Sequence, residues 1–153
     1  MNFTAVVTGA SKGIGFAVAM RLAEAGFELF IVGRDNDRLL EAKSQLLLAG
    51  SPMVHTFAGD LSQSEVAKRC TANVCAIWSS LTVLVNNAGI SPKHQGKKRQ
   101  FIDIPLDEWQ RVIDINLTAN FLITQICLSP MMNNQHGRVI NITSQAARTR
   151  TPI

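Results

Sequence analysis

The sequence predicts an α/β fold, in which a parallel sheet is covered by helices on both faces. Three observations predict it. Short runs of β-branched and aliphatic residues alternate with stretches of helical periodicity along the chain, the pattern of successive strand–helix–strand units. The run at residues 81–85 is almost unbroken in apolar character, as strands buried on both faces are. A glycine-rich segment joins the first apolar run directly to the first helical stretch, the place where such sheets approach a ligand.

The elements follow in order. Residues 3–8 form a β-branched first strand. Over residues 13–25, Ile14, Val18, Leu22 and Ala25 recur at helical spacing, and Gly26 stands where a helix-ending glycine belongs. Residues 28–32 are a second strand. Residues 37–49 are a second helix, stopped by Gly50 and Pro52, and residues 53–57 a third strand. Ser62-Gln63-Ser64-Glu65 has the form of a capping box, opening a helix with Val66, Cys70, Val74 and Ile77 on one face. Residues 81–85 are the fourth strand. Residues 90–104 are a polar, basic loop, and helices are expected at about 106–116 and 118–132. Residues 138–143 are the fifth strand. No internal repeat, low-complexity tract or linker interrupts the pattern, so residues 1–153 are expected to form one dinucleotide-binding domain.

Composition narrows the function. Of the 153 residues, 46% are hydrophobic and 17% charged, which suits a globular core and excludes a disordered chain. The formal charge of +4 raises nucleic acid as a partner, but the cations are scattered except for Lys97-Lys98-Arg99, which reads as a solvated loop. Cys70, Cys75 and Cys127 are odd in number and lack CxxC spacing, so reduced core thiols are expected rather than disulfides or a zinc site. The N-terminus has no signal-peptide pattern, and no run approaches the roughly 18 apolar residues of a membrane span. A cytoplasmic protein without membrane contact is the expectation.

The chemistry begins at Thr8-Gly9-Ala10-Ser11-Lys12-Gly13-Ile14-Gly15. Between a strand and a helix, this GxxxGxG spacing has a mechanism. Gly9 permits the tight turn, Gly13 lets the backbone approach a pyrophosphate, and Gly15 lets helix and strand pack closely. The helix N-terminus then turns its N–H groups and positive dipole end toward the phosphates.

Here the chain resembles the short-chain dehydrogenase/reductases. TGASKGIG matches that family's TGxxxGxG, and Asp60 in Gly59-Asp60-Leu61 matches its adenine-contacting aspartate. Asn86-Asn87-Ala88-Gly89 matches its NNAG, Asn116 its helix asparagine, and Gly137-Arg138-Val139-Ile140-Asn141-Ile142-Thr143-Ser144 its fifth strand and catalytic serine. The five motifs occur in family order and cover the chain, which resembles the N-terminal portion of a longer member akin to 3-oxoacyl-acyl-carrier-protein reductases.

The resemblance implies roles residue by residue. The loop of Gly9, Ser11, Lys12, Gly13, Ile14 and Gly15 would hold the pyrophosphate. Asp60 and Leu61 would border the adenine, and Asn87, Ala88 and Gly89 the ribose. Ser144 would hydrogen-bond the substrate carbonyl, and Asn116 would help hold a water in a proton relay. Rival readings remain open: Asp60 as a helix cap, Ser144 as a plain strand-end serine, and Thr143 as the catalytic hydroxyl. Asn86 is expected to tie neighbouring strands. Arg34 takes the position of the NAD-selecting aspartate, which favours NADP(H), with Lys12 as a second cation. NAD(H) is the alternative if Asp35 binds the ribose instead.

The implied fold is a Rossmann-like doubly wound sheet, order 3-2-1-4-5, truncated after the fifth strand. The implied activity is hydride transfer between NADP(H) and a small-molecule carbonyl/alcohol substrate, with a 3-oxoacyl thioester as one candidate, in a homo-oligomer (dimer or tetramer). The family's YxxxK segment is expected beyond Ser144. The 153 residues contain no tyrosine, so turnover by this chain alone is not expected. A non-catalytic dinucleotide-binding module or decayed fragment is the alternative. Ala119 and Thr82 depart from the family's usual glycine and aspartate, and the basic loop at 91–104 is longer than in compact members. The loop either borders the active-site mouth or is a surface insertion, with His94 an ordinary loop histidine. The apolar helix at 118–132 is expected to mediate association.

Overall fold

The computed structural model describes residues 3–133 and 135–144. Its strands are β1 (Thr4–Thr8), β2 (Glu28–Gly33), β3 (Val54–Ala58), β4 (Val83–Asn86) and β5 (Arg138–Asn141). Its helices are α1 (Gly13–Glu24), α2 (Asn36–Leu48), α3 (Ser64–Ile77), α4 (Leu106–Ile113) and α5 (Ala119–Asn133). The strands form one sheet in the order β3-β2-β1-β4-β5, with every neighbouring pair parallel. This is the doubly wound arrangement expected from the alternation of elements.

Side chains alternate across each strand, and so sort the core into two layers. Ala5 and Val7 of β1 and Leu29 and Ile31 of β2 pack with Ala19 and Ala23 of α1 and Leu39, Ala42 and Leu46 of α2. Val6, Phe30 and Val32 face the other way, onto Cys70 and Val74 of α3 and Ile123, Cys127 and Met131 of α5. Each fully buried aliphatic side chain here contributes roughly 1.5–3 kcal/mol.

The first two helices end alike. Gly26 (φ +77) follows α1, with its N–H on Ala23 O and the Phe27 N–H on Leu22 O. Gly50 (φ +116) follows α2, with its N–H on Leu47 O and the Ser51 N–H on Leu46 O. Both are Schellman closures, in which glycine takes the left-handed position at no steric cost.

Four expectations need correction. The capping box does not form. Gln63 is the N-cap of α3 and makes no side-chain cap bond, because the Ser62 N–H is held by Asp60 Oδ1 at 3.0 Å and the helix opens one residue later. Ile77 is 42% exposed, since α3 ends there beyond the sheet. The helices expected at 106–116 and 118–132 are one rod, joined by a π-helical turn at Asp114–Thr118 in which the Ala119 N–H reaches Asp114 O. The fifth strand ends at Asn141, two residues early. The 28-residue rod has a mean hydropathy of 1.4 over its most apolar window, enough by length and composition to cross a membrane. Here Ile115, Ala119, Ile123, Cys127 and Met131, four residues apart, bury one face within the protein.

Candidate cofactor-binding site

The site lies at the carboxyl ends of β1, β2 and β4, on either side of the point where chain connectivity reverses direction across the sheet. Gly9 (φ +66) and Gly13 (φ +61) both adopt left-handed backbone. A Cβ on Gly13 would meet nothing within 4 Å, so that face of the loop is open to a ligand. A Cβ on Gly15 would instead collide with Gly9 O and Asn87 Nδ2, so Gly15 serves the close packing of helix on strand. Lys12, the N-cap of α1, makes no side-chain cap bond, and the first turn of α1 contains no acidic residue. The N–H groups and dipole of this helix end are therefore available to an anion.

The segment after β4 is stitched to this loop. Thr8 Oγ1 accepts from the backbone N–H groups of Asn87 (3.0 Å) and Ala88 (2.9 Å), while Asn87 Nδ2 donates to Thr8 O (2.9 Å) and Gly9 O (3.2 Å). Asn86 points the other way. Its Nδ2 donates to Thr124 Oγ1 and Asn141 Oδ1, both at 2.9 Å, tying β4 to α5 and β5. Asn116, in the π-helical turn, clamps Ile90 from both sides. Its Oδ1 accepts from Ile90 N–H at 2.8 Å and its Nδ2 donates to Ile90 O at 2.9 Å. Asn120 Nδ2 in turn donates to Asn116 O at 2.9 Å.

The two candidates at the end of β2 have separate tasks. Asp35 caps α2, its Oδ1 accepting from Arg38 N–H at 3.1 Å, and it also pairs with the Arg38 guanidinium at 3.3 Å. Arg34 lines the cavity. Asp60 is partly buried, which by itself would raise its carboxyl. The Ser62 N–H and hydroxyl, with Arg111 and Arg34 nearby, outweigh that burial and hold it below the ordinary carboxylate range.

A cavity of about 320 Å³ brings together Gly9, Ser11, Lys12, Gly13, Arg34, Leu61, Asn87, Ala88 and Gly89. Ile14, Gly15 and Asp60 do not line it. Ser144 is exposed three residues beyond β5, and neither it nor Asn116 is in the lining. Val32, Gly33, Gly59, Ile90 and Ile115 complete the walls without having been singled out from the sequence. Gly59 alone carried a usable signal. A Cβ there would meet Val66 Cγ1 at 2.6 Å, and glycine directly after a strand marks such close approach. An open helix end, left-handed glycines and two cations suit a phosphate-bearing ligand with a flat apolar portion.

A family model described as short chain dehydrogenase matches residues 3–153. The chain belongs to that family. Among curated short chain dehydrogenase relatives, it is 31% identical over 139 residues to the 3-oxoacyl-[acyl-carrier-protein] reductase FabG of Aquifex aeolicus, covering 91% of this chain and 54% of that protein. It is 34% identical over 141 residues to the 2-dehydro-3-deoxy-D-gluconate 5-dehydrogenase of Bacillus subtilis, covering 92% and 52%. Among solved structures, a metagenomic short-chain oxidoreductase in complex with NADP superposes with a TM-score of 0.88 at 32% identity, covering 99% of this chain and 64% of that one. The chain thus spans about half of these curated short chain dehydrogenases.

Proposed function

We propose that this chain is the cofactor-binding part of an NADP(H)-dependent oxidoreductase that interconverts a carbonyl compound and an alcohol, with 3-oxoacyl thioesters as the substrate class. The observation that carries the reading is the division of labour after β2: Arg34 faces the cavity, while the Asp35 carboxylate is engaged in capping α2. A carboxylate at this point selects the ribose hydroxyl of NAD(H), whereas an arginine accommodates the 2′-phosphate of NADP(H). The NADP complex of a structural neighbour supports the same cofactor, and the FabG relative's name supports the substrate class.

In this reading the N–H groups at the start of α1 hold the pyrophosphate, and Lys12 and Arg34 bracket the 2′-phosphate. Leu61 and Asp60 border the adenine, and Asn87, Ala88 and Gly89 face the ribose. When bound, the nicotinamide supplies or accepts the hydride. Asn116 fixes Ile90 and with it the wall of the cavity. The Ser144 hydroxyl donates to the substrate oxygen and stabilises the charge that grows there.

Titration calorimetry of the complete protein with NADPH and NADH tests the reading. NADPH is expected to bind more tightly, and Arg34→Asp to weaken it by about 10- to 100-fold, since a hydrogen bond to a charged group is worth about 1.5–3 kcal/mol. Tighter binding of NADH by the unaltered protein would overturn the cofactor assignment.

A further inference from the structure

Asp60 stands between two residues that line the cavity, Gly59 and Leu61, yet it does not line the cavity itself. Both oxygens of its carboxylate are engaged outside that wall. Oδ1 accepts from the Ser62 N–H at 3.0 Å, and Oδ2 lies 3.9 Å from Arg111 Nη2. Arg34, which does line the cavity, acts electrostatically on the same carboxylate. Among the described residues Arg34 forms no ion pair of its own. One carboxylate is thus shared between an arginine of the cavity and an arginine of α4.

The helix that presents Arg111 buries none of its residues. Among the described residues, polar side-chain contacts join it to the chain outside the rod at two places, Glu108 with His94 and Arg99, and Arg111 with Asp60. Glu108 and Arg111 are three residues apart and so share a face. Ile115, about one turn beyond Arg111, lines the cavity, which sets the Arg111 contact just outside the cavity wall. The side chains of Arg111 and Asp60 are 57% and 29% exposed, and a pair this open and this long adds little to stability. Its effect falls instead on which anion Arg34 meets. An arginine committed to a carboxylate must leave it to receive a phosphate, and an unanswered carboxylate nearby repels that phosphate.

We infer that Arg111 is a positioning residue that sets the preference for NADP(H): by holding the Asp60 carboxylate toward α4, it leaves Arg34 to the 2′-phosphate. The inference rests on the cofactor reading above and adds a residue outside the cavity to the groups that decide it. Electrostatics on Asp60 agree. Burial would raise its carboxyl, and the two Ser62 bonds, followed by Arg111 and Arg34, outweigh burial and bring it below the ordinary carboxylate range. Lysine at position 111 would keep the charge that matters here, and glutamine would remove it.

The test is calorimetry of the complete protein with NADPH and with NADH. Arg111→Gln is expected to weaken NADPH binding about fivefold, the upper end for a part-exposed ion pair, and to leave NADH binding unchanged. Arg111→Lys should retain the preference. In an Asp60→Asn background, Arg111→Gln should not alter the ratio of the two affinities further, because no carboxylate remains to be held. A second measurement needs no cofactor: the NMR titration of the Asp60 carboxyl should move to higher pH in Arg111→Gln. Equal weakening of both cofactors, no weakening of either, or a loss that persists in the Asp60→Asn background would overturn the inference, as would an unmoved Asp60 titration. Tighter NADH binding by the unaltered protein removes the cofactor reading and this inference with it. An NADPH preference indifferent to Arg111 removes the inference alone.

Discussion

At the scale of single residues, the glycines of the β1–α1 loop are the clearest case of sequence dictating structure. Gly9 and Gly13 need left-handed backbone, and Gly15 needs the space of a missing Cβ. Gly15→Ala would press a methyl group against the Gly9 backbone carbonyl, which cannot swing aside. Overpacking typically costs about 1–3 kcal/mol, and this site belongs at the upper end. A midpoint shift of that size in urea unfolding, together with lost NADPH binding, is the expected result, and an unchanged midpoint would refute the packing role. Asp60 gives a pH prediction. Its folded carboxyl lies below the ordinary value, so its contribution is present above the unfolded pKa and is lost as pH falls through the folded one. Asp60→Asn should therefore flatten the stability profile on the acid side and leave the neutral-to-basic side nearly parallel to the unaltered protein. Sequence reading reached these residues because each has a local cause. It did not reach Ile90 or Ile115, which are plain apolar side chains until the fold places them in a wall.

At the scale of elements, the existence of the strands and of the first two helices was legible from apolar runs and terminal glycines, but the period expected for α1 was off by one: Ile14 and Ala25 are exposed, and Gly15, Ala19 and Ala23 form the buried face. The false capping box and the missed π-helical turn have different causes, a competing local bond and a tertiary one. Asp60, two residues earlier, takes the Ser62 N–H that the capping box would have used, whereas Asn116 bonds Ile90, 26 residues away, while its turn widens by one residue. Only the second partner lies outside a window of local sequence. The rod from α4 to α5 also has a second apolar stripe, Leu117, Phe121, Leu128 and Met132, opposite the buried one. Such a stripe is expected to pair with a second copy. Light scattering of the complete protein at micromolar concentration should give a dimer or tetramer, and Phe121→Glu should shift it toward monomer. A monomeric unaltered protein would rule this out.

For the whole molecule, the parallel sheet and its two covering layers followed from the alternation of elements and the strand order from the family resemblance, whereas the hairpin at His94–Lys97 lay inside a segment legible only as a polar, basic loop, at the active-site mouth or a surface insertion. Its anchor is a histidine–arginine–glutamate contact across 14 residues, formed once α4 is in place. The chemistry divides similarly. The cavity offers groups for the cofactor, but reduction also needs a proton delivered to the substrate oxygen, and the 153 residues contain no tyrosine. General acid–base catalysis is worth about 10²- to 10⁴-fold. The chain as given should therefore bind NADPH without oxidising it in the presence of ketones or 3-oxoacyl thioesters, while a chain extended through a YxxxK segment should turn over. Comparable rates from the two would show that the proton comes from elsewhere.

The Thr8 hydroxyl has a consequence for kinetics. It accepts from two backbone N–H groups of the segment after β4, and Asn87 returns two bonds to the loop after β1. The two sides of the cavity are thus riveted together, and a ligand that stiffens one stiffens the other. Ile90, held by Asn116 on the far side, is two residues beyond that rivet. Phosphates seated at the start of α1 would settle the wall that meets the second reactant, the mechanical condition for an ordered sequence in which cofactor enters first and leaves last.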